Sequence, residues 1–216
     1  MRSITPAHRT AAVLAVAVAL SAGLAGAAQA GKGGKGPSST TTTTAASPQS
    51  AHDSVCDPVS EYVPCSALAV TVSNFGATGW TASSGPANGT VSYNSYYTLS
   101  SSSWAQTVSH EIGGHHDAWH EIVAKVGTTQ AWTDYYDLDY FGERWAEARY
   151  KALKGTVRDF TLSEGKEGYL DCVGPVAHGY SGNYLTRWGF SAGAAQSQFC
   201  TGSGQVMTDA LTKVRP

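Results

Sequence analysis

The chain has 216 residues, 42% hydrophobic and 14% charged, with a formal net charge of −2. A balance this close to neutral provides no electrostatic footprint for a nucleic-acid partner, and none is expected.

Residues 1–30 read as a secretory signal peptide. Arg2, His8 and Arg9 precede an Ala/Val/Leu run from Ala11 to Leu20, and Ala28-Gln29-Ala30 is a small-x-small site, so cleavage is expected after Ala30. The apolar run falls short of the about 20 residues that span a bilayer, and Ser21 and Gly23 interrupt its end, so no stable membrane anchor is expected. Residues 31–53 are rich in Gly, Ser, Thr, Pro and Lys without apolar periodicity, the composition of a flexible linker or short pro-region. Residues 54–216 are then one domain by length.

All four cysteines, Cys56, Cys65, Cys172 and Cys200, fall in that domain. An even count in an exported chain predicts two disulfides, although four cysteines permit three pairings. The short Cys56–Cys65 loop favours a local bridge, which leaves Cys172 with Cys200. A cysteine metal site is disfavoured because no C-x-x-C spacing occurs.

Residues 67–72 (ALAVTV) and 90–97 (TVSYNSYY) have strand character, and Pro86-Ala87-Asn88-Gly89 marks a turn before the second. Ser101, Ser102 and Ser103 are N-cap candidates for a helix whose Trp104, Val108 and Ile112 form a buried stripe. A second helix is expected from about Tyr140 to Lys154, with Gly155 as its stop. Strands, two helices and a Gly-rich, disulfide-tied tail give an α+β domain.

Residues 110–120 (HEIGGHHDAWH) place four histidines and Glu111 in eleven positions. Zinc-protease helices use H-E-x-x-H, because residues i and i+4 lie only ~40° apart on a helix. His110 and His115 are one residue too far apart for that, at ~140°. Gly113 and Gly114 between them tolerate distortion, and a π-bulge absorbing one residue would align the two imidazoles. The rival pair, His116 and His120, has direct i+4 spacing with Asp117 where the glutamate should be. A third reading has no metal at all. A zinc ion further needs a third protein ligand and an open position. Glu143 and Glu147 share a helix face at i and i+4, so one could bind metal and the other hydrogen-bond an imidazole. Alone, they would be a solvated acidic face paired with Arg144 and Lys151.

His110-Glu111-Ile112-Gly113-Gly114-His115 resembles the HExxGH motif of the dipeptidyl peptidase III family of gluzincins. Glu143-Arg144-Trp145-Ala146-Glu147 is similar to the E-x-x-A-E helix of that family and of lethal-factor-type gluzincins. The resemblance covers about a dozen residues and implies a compact zincin-like domain. It further implies His110, His115 and Glu143 as zinc ligands, and Glu147 as support for a ligand histidine. It also implies an edge strand that binds extended peptide. Glu111 would act as the general base. Lethal-factor-type enzymes carry a catalytic tyrosine upstream of the ligand glutamate, which points to Tyr136 as oxyanion donor, with Tyr140 and His178 as alternatives. Asp134, Asp137 and Asp139 lack EF-hand spacing and are expected to be solvated or capping.

The expected function is therefore a secreted, monomeric, zinc-dependent hydrolase of peptide bonds in peptides or proteins. The competing classes are a secreted binding module with a degenerate metal motif and a cell-wall peptide amidase.

Overall fold

The computed structural model describes residues 46–213, so the expected leader, its cleavage site and most of the expected linker lie outside the described residues. Helix α1 (Pro48–Val59) comes first. Ser47 caps it by accepting the Ser50 N–H at 3.0 Å, and Pro48 occupies the first turn, where its missing N–H costs nothing. Ala51, Val55 and Val59 follow at four-residue spacing and are buried. The linker expected over residues 31–53 therefore has to be shortened, because residues 48–53 are helix and Ala51 and His52 pack inside.

A three-stranded sheet follows: β1 (Ala69–Ser73), β2 (Ala82–Gly85) and β3 (Thr90–Asn94), in the order β1-β3-β2. β1 runs parallel and β2 antiparallel to the central β3. Gly89, at φ 63°, turns the chain from β2 into β3, a left-handed conformation that favours glycine. Val91 and Tyr93 bury one face of β3 against Val55, Val59, Trp104, Val108 and Ile112. β2 is left as an edge strand.

One long helical run then carries the histidines: α2 (Ser101–Ser109), a π-helical segment (His110–His116) and α3 (Asp117–Val126). Its cap is Ser100, one residue before the expected serines, accepting the Ser103 N–H at 3.1 Å. Helix α4 (Thr128–Lys154) begins well before Tyr140, because Ala131, Tyr135 and Leu138 already form a buried stripe against Trp119 and Ile122. Gly155, at φ 70°, ends it as expected. Helix α5 (Leu162–Asp171) opens on a capping box between Thr161 and Glu164 and continues into a second π-helical segment, Cys172–Val176. Three short helices, α6 (Asn183–Arg187), α7 (Ala194–Phe199) and α8 (Gly204–Thr212), complete an α+β domain. The Gly-rich, disulfide-tied tail is thus largely helical.

Cys56 is bonded to Cys65 and Cys172 to Cys200, the pairing expected from the sequence. Asp134 and Asp137 accept from Lys213 at 2.6 and 3.0 Å, and Asp139 lies 2.7 Å from Lys166, so the acidic run is spent on lysines. No helix among the described residues is long and apolar enough to cross a membrane.

Candidate metal centre

The extra residue between His110 and His115 is taken up by the π-helical segment, whose i→i+5 repeat brings residue i+5 back toward residue i. The two rings lie 5.1 Å apart between centroids. Glycine makes this turn possible for a packing reason as well as a conformational one. The segment is pressed between α1 and the second π-helical segment. A Cβ on Gly113 would lie 2.9 Å from the Val59 carbonyl oxygen, and one on Gly174 would lie 2.6 Å from that of Ser109. Any side chain at these positions would push the backbones apart.

The third group comes from α5. Glu167 Oε2 lies 2.9 Å from His110 Nε2 and 3.4 Å from His115 Nε2, and the three residues form a group that could hold a metal ion. Ligand arms of about 2.0–2.1 Å in a tetrahedron leave about 3.3–3.4 Å between donor atoms. The 3.4 Å between His115 and Glu167 matches this, while the 2.9 Å between His110 and Glu167 is a hydrogen-bond distance that an ion would widen. The rings are also held from behind. His110 Nδ1–H donates to Asp171 Oδ1 at 2.8 Å, and His115 Nδ1 is hydrogen-bonded to the Tyr135 hydroxyl at 2.8 Å. With a hydrogen on Nδ1, each Nε2 is the nitrogen left to offer a lone pair to an ion seated beside Glu167, as in ligand histidines.

Electrostatics describe the same cation site. Burial would lower the His110 pKa, but the hydrogen bonds to Asp171 and Glu167 outweigh it and hold the pKa well above the usual histidine value. Burial would raise Glu167, yet His115 and His110 outweigh it and hold the carboxyl far below the usual carboxylate range. The two shifts describe a protonated imidazole paired with a carboxylate, a charge pattern that favours positive charge at this point.

The carboxylate of Glu111, on the same π turn, is buried and accepts from the Ser84 hydroxyl at 2.6 Å. Glu111 directly follows His110 in the chain, and its charge adds to the burial that raises the Tyr135 and Tyr184 pKa values. The Tyr184 ring stacks on His110 at 6.0 Å.

Several expectations are corrected. Glu143 does not join the histidines; it lines an open groove with Tyr140, Arg144, Glu147 and Lys151. The reason is the path of α4. Tyr135 reaches His115, but Glu143 lies eight residues farther, about 12 Å along the axis. There α5 packs against α4, backbone to backbone, at Gly142 and Gly165. Glu147 accepts the Phe160 N–H at 3.4 Å rather than supporting a histidine, and Asp171 supports His110 instead. Tyr136 is 56% exposed and stacks on Trp132, because its neighbour Tyr135 takes the inward face of α4. Tyr140 lines the Glu143 groove, and the His178 ring lies beside Gly113.

The rival pair has structural partners. His116 is fully buried, donates from Nε2 to the Thr90 carbonyl at 3.1 Å, and burial lowers its pKa to about 4. Asp117 accepts the Glu61 and Tyr62 backbone N–H groups at 2.7 and 3.2 Å. Among the described residues, no acidic or cysteine group joins His116 and His120 in a metal-sized cluster.

Glu167 and Asp171 were legible in principle. Thr161-Leu162-Ser163-Glu164 is a capping-box sequence, and the helix it opens carries these two acids at i and i+4 on one face. No family model, curated protein or solved structure matches the chain.

Proposed function

We propose that this domain is an exported zinc-dependent hydrolase that cuts peptide bonds. The observation that carries the proposal is the convergence of His110, His115 and Glu167 beside Glu111, a buried carboxylate that takes no part in the ligand set. Two imidazoles and one carboxylate suit zinc and leave a fourth position open, the arrangement of a catalytic rather than a structural site. Zinc, when bound, supplies a Lewis acid that polarises a scissile carbonyl and acidifies water.

The chain's own residues do the rest. Asp171 and Tyr135 fix the rings so that Nε2 faces the ion. Glu111 takes the proton of the attacking water and returns it to the leaving amine. Tyr184 replaces Tyr136 as the oxyanion donor. Burial first, then the charges of Glu167 and Asp171, push its pKa up, so the phenol keeps its proton at neutral pH. The β2 edge runs beside the π-helical segment and offers unpaired backbone groups to an extended peptide. Two disulfides suit an oxidising compartment.

The test is zinc content and hydrolysis measured together. After dialysis against zinc-free buffer, one zinc per chain should remain, and casein-like substrates should be cut in a chelator-sensitive way. Glu111→Gln should keep the zinc and lose hydrolysis. Zinc-free but active protein would overturn the reading, and so would zinc-bound protein inert on every peptide. Activity on cell-wall material alone would move it to the amidase class.

A further inference from the structure

The base proposed above is tied to the edge strand. Ser84 lies on β2, and its hydroxyl has two acceptors within reach: Glu111 Oε2 at 2.6 Å and the Glu111 carbonyl oxygen at 3.3 Å. A hydroxyl has one hydrogen to give. The shorter distance is that of a charge-assisted O–H···O⁻ bond, so the hydrogen goes to the carboxylate. We infer that Ser84 is a positioning residue for Glu111, pinning one carboxylate oxygen so that the other faces the substrate water. This rests on the reading of Glu111 as general base.

The physical argument is conformational. A glutamate side chain has three rotatable bonds, and proton transfer needs its oxygen within about 2.6–3.2 Å of the proton it abstracts. On the π turn, Glu111 is anchored only through its own backbone. The Ser84 bond adds a second anchor from a different element, one held in register by pairing with Val91 of β3. The strand that would receive the peptide therefore also sets the direction of the base. Small errors in such alignment cost large factors in rate. A purely structural bond, present only to satisfy a buried carboxylate, would lower stability on removal but would not act on turnover through Glu111.

Three variants in the zinc-saturated protein decide between these. Ser84→Ala should retain one zinc per chain and keep KM within about 2-fold, while kcat falls on the order of 10-fold. Ser84→Thr, which keeps the hydroxyl and suits a strand, should restore most of kcat. Ser84→Ala added to Glu111→Gln should cost nothing further, because the group it positions is already gone. An unchanged kcat in Ser84→Ala, or an equal loss in both backgrounds, overturns the inference. A readout without turnover stands beside these: the 13C resonance of the Glu111 carboxyl should move in Ser84→Ala and not in Ser84→Thr. If the zinc-loaded wild type cuts no peptide, the hydrolase reading fails, and this resonance still decides the tether. If the resonance does not move, the tether is wrong whatever the activity.

Discussion

Asp171 uses both carboxylate oxygens, one on each side of the candidate site. Oδ1 accepts from His110 at 2.8 Å, and Oδ2 accepts the backbone N–H groups of Tyr184 and Leu185 at 2.6 and 3.2 Å. One buried acid thus orients the His110 ring and caps α6, the helix that carries Tyr184 over that ring. Ligand geometry and the placement of the proposed oxyanion donor are coupled through it.

Asp171→Asn should therefore weaken zinc binding by about 10–100-fold, the usual cost of losing a hydrogen-bond partner behind a ligand histidine. The amide nitrogen cannot accept, so either His110 or the α6 backbone loses its partner. A stability loss of roughly 1–3 kcal/mol should accompany the change. Tyr135→Phe should cost less affinity, since a neutral phenol polarises His115 less than a carboxylate polarises His110. Competition against a chromophoric chelator, with thermal melts of the metal-free proteins, measures both. Equal affinities in wild type and Asp171→Asn would sink the prediction.

The two candidate third ligands separate cleanly. Glu167→Ala should abolish tight zinc binding, because it removes the only carboxylate within the ligand group. Glu143→Ala should leave affinity within about 2-fold, since it lines a groove whose walls include neither histidine. His115→Ala should lose the metal, and His120→Ala should keep it. Equilibrium dialysis with zinc quantified per chain checks all four. Zinc lost from Glu143→Ala and retained in Glu167→Ala would restore the original assignment.

The sequence shows the centre of this site and hides its rim, for physical reasons. His110, Glu111 and His115 are adjacent in the chain, and two glycines advertise the distortion that brings the rings together. The strand pair, the Trp104-Val108-Ile112 stripe and the Gly155 stop were readable because each is a local pattern. Glu167 lies more than fifty residues from His115, and which distant acid reaches a ligand depends on how helices pack. The Gly142–Gly165 contact decides that, and no periodicity reveals it. The E-x-x-A-E segment at Glu143 lies on α4 beyond the stretch that reaches the histidines, a displacement that the spacing within the motif does not reveal. Helix α1 stayed hidden because a Ser/Thr-rich composition masked the Ser47-Pro48 start.

Gly174 is where the two π-helical segments meet. A Cβ there would lie 2.6 Å from the Ser109 carbonyl oxygen and 2.8 Å from the Gly114 nitrogen, both backbone atoms that cannot swing away. Gly174→Ala should destabilise the domain by about 1–3 kcal/mol and also loosen zinc, because the displaced turn carries both histidines. Gly179→Ala is not a fair control, since Gly179 has φ 81°. Gly204→Ala is one, because nothing lies within 4 Å of a Cβ there. Urea titrations of both variants, read with zinc affinity, test the claim. A Gly174→Ala protein as stable as Gly204→Ala would refute it.

Acid should weaken the fold through His52 independently of the metal. This histidine is buried in α1, and its Nδ1 lies 2.8 Å from the Tyr93 hydroxyl. Burial raises the Tyr93 pKa well above its ordinary value, so the phenol keeps its proton and shares a hydrogen bond with His52 Nδ1. Burial likewise lowers the His52 pKa, against the opposing pull of Asp53 and Asp57. The sign follows from linkage: as pH falls below the unfolded value of about 6.5, the unfolded chain takes up a proton that the native state refuses. Stability is therefore lost as pH falls from about 6.5 to the lowered folded value, and no further loss from this group occurs below it. His52→Gln keeps an acceptor for Tyr93 and cannot titrate. With zinc removed from both proteins, so that ligand protonation is common to them, the wild type should lose more stability than the variant between pH 6.5 and the lowered value. Above pH 7 the two curves should run parallel. Parallel curves through the acid range as well would show that His52 carries none of the acid sensitivity.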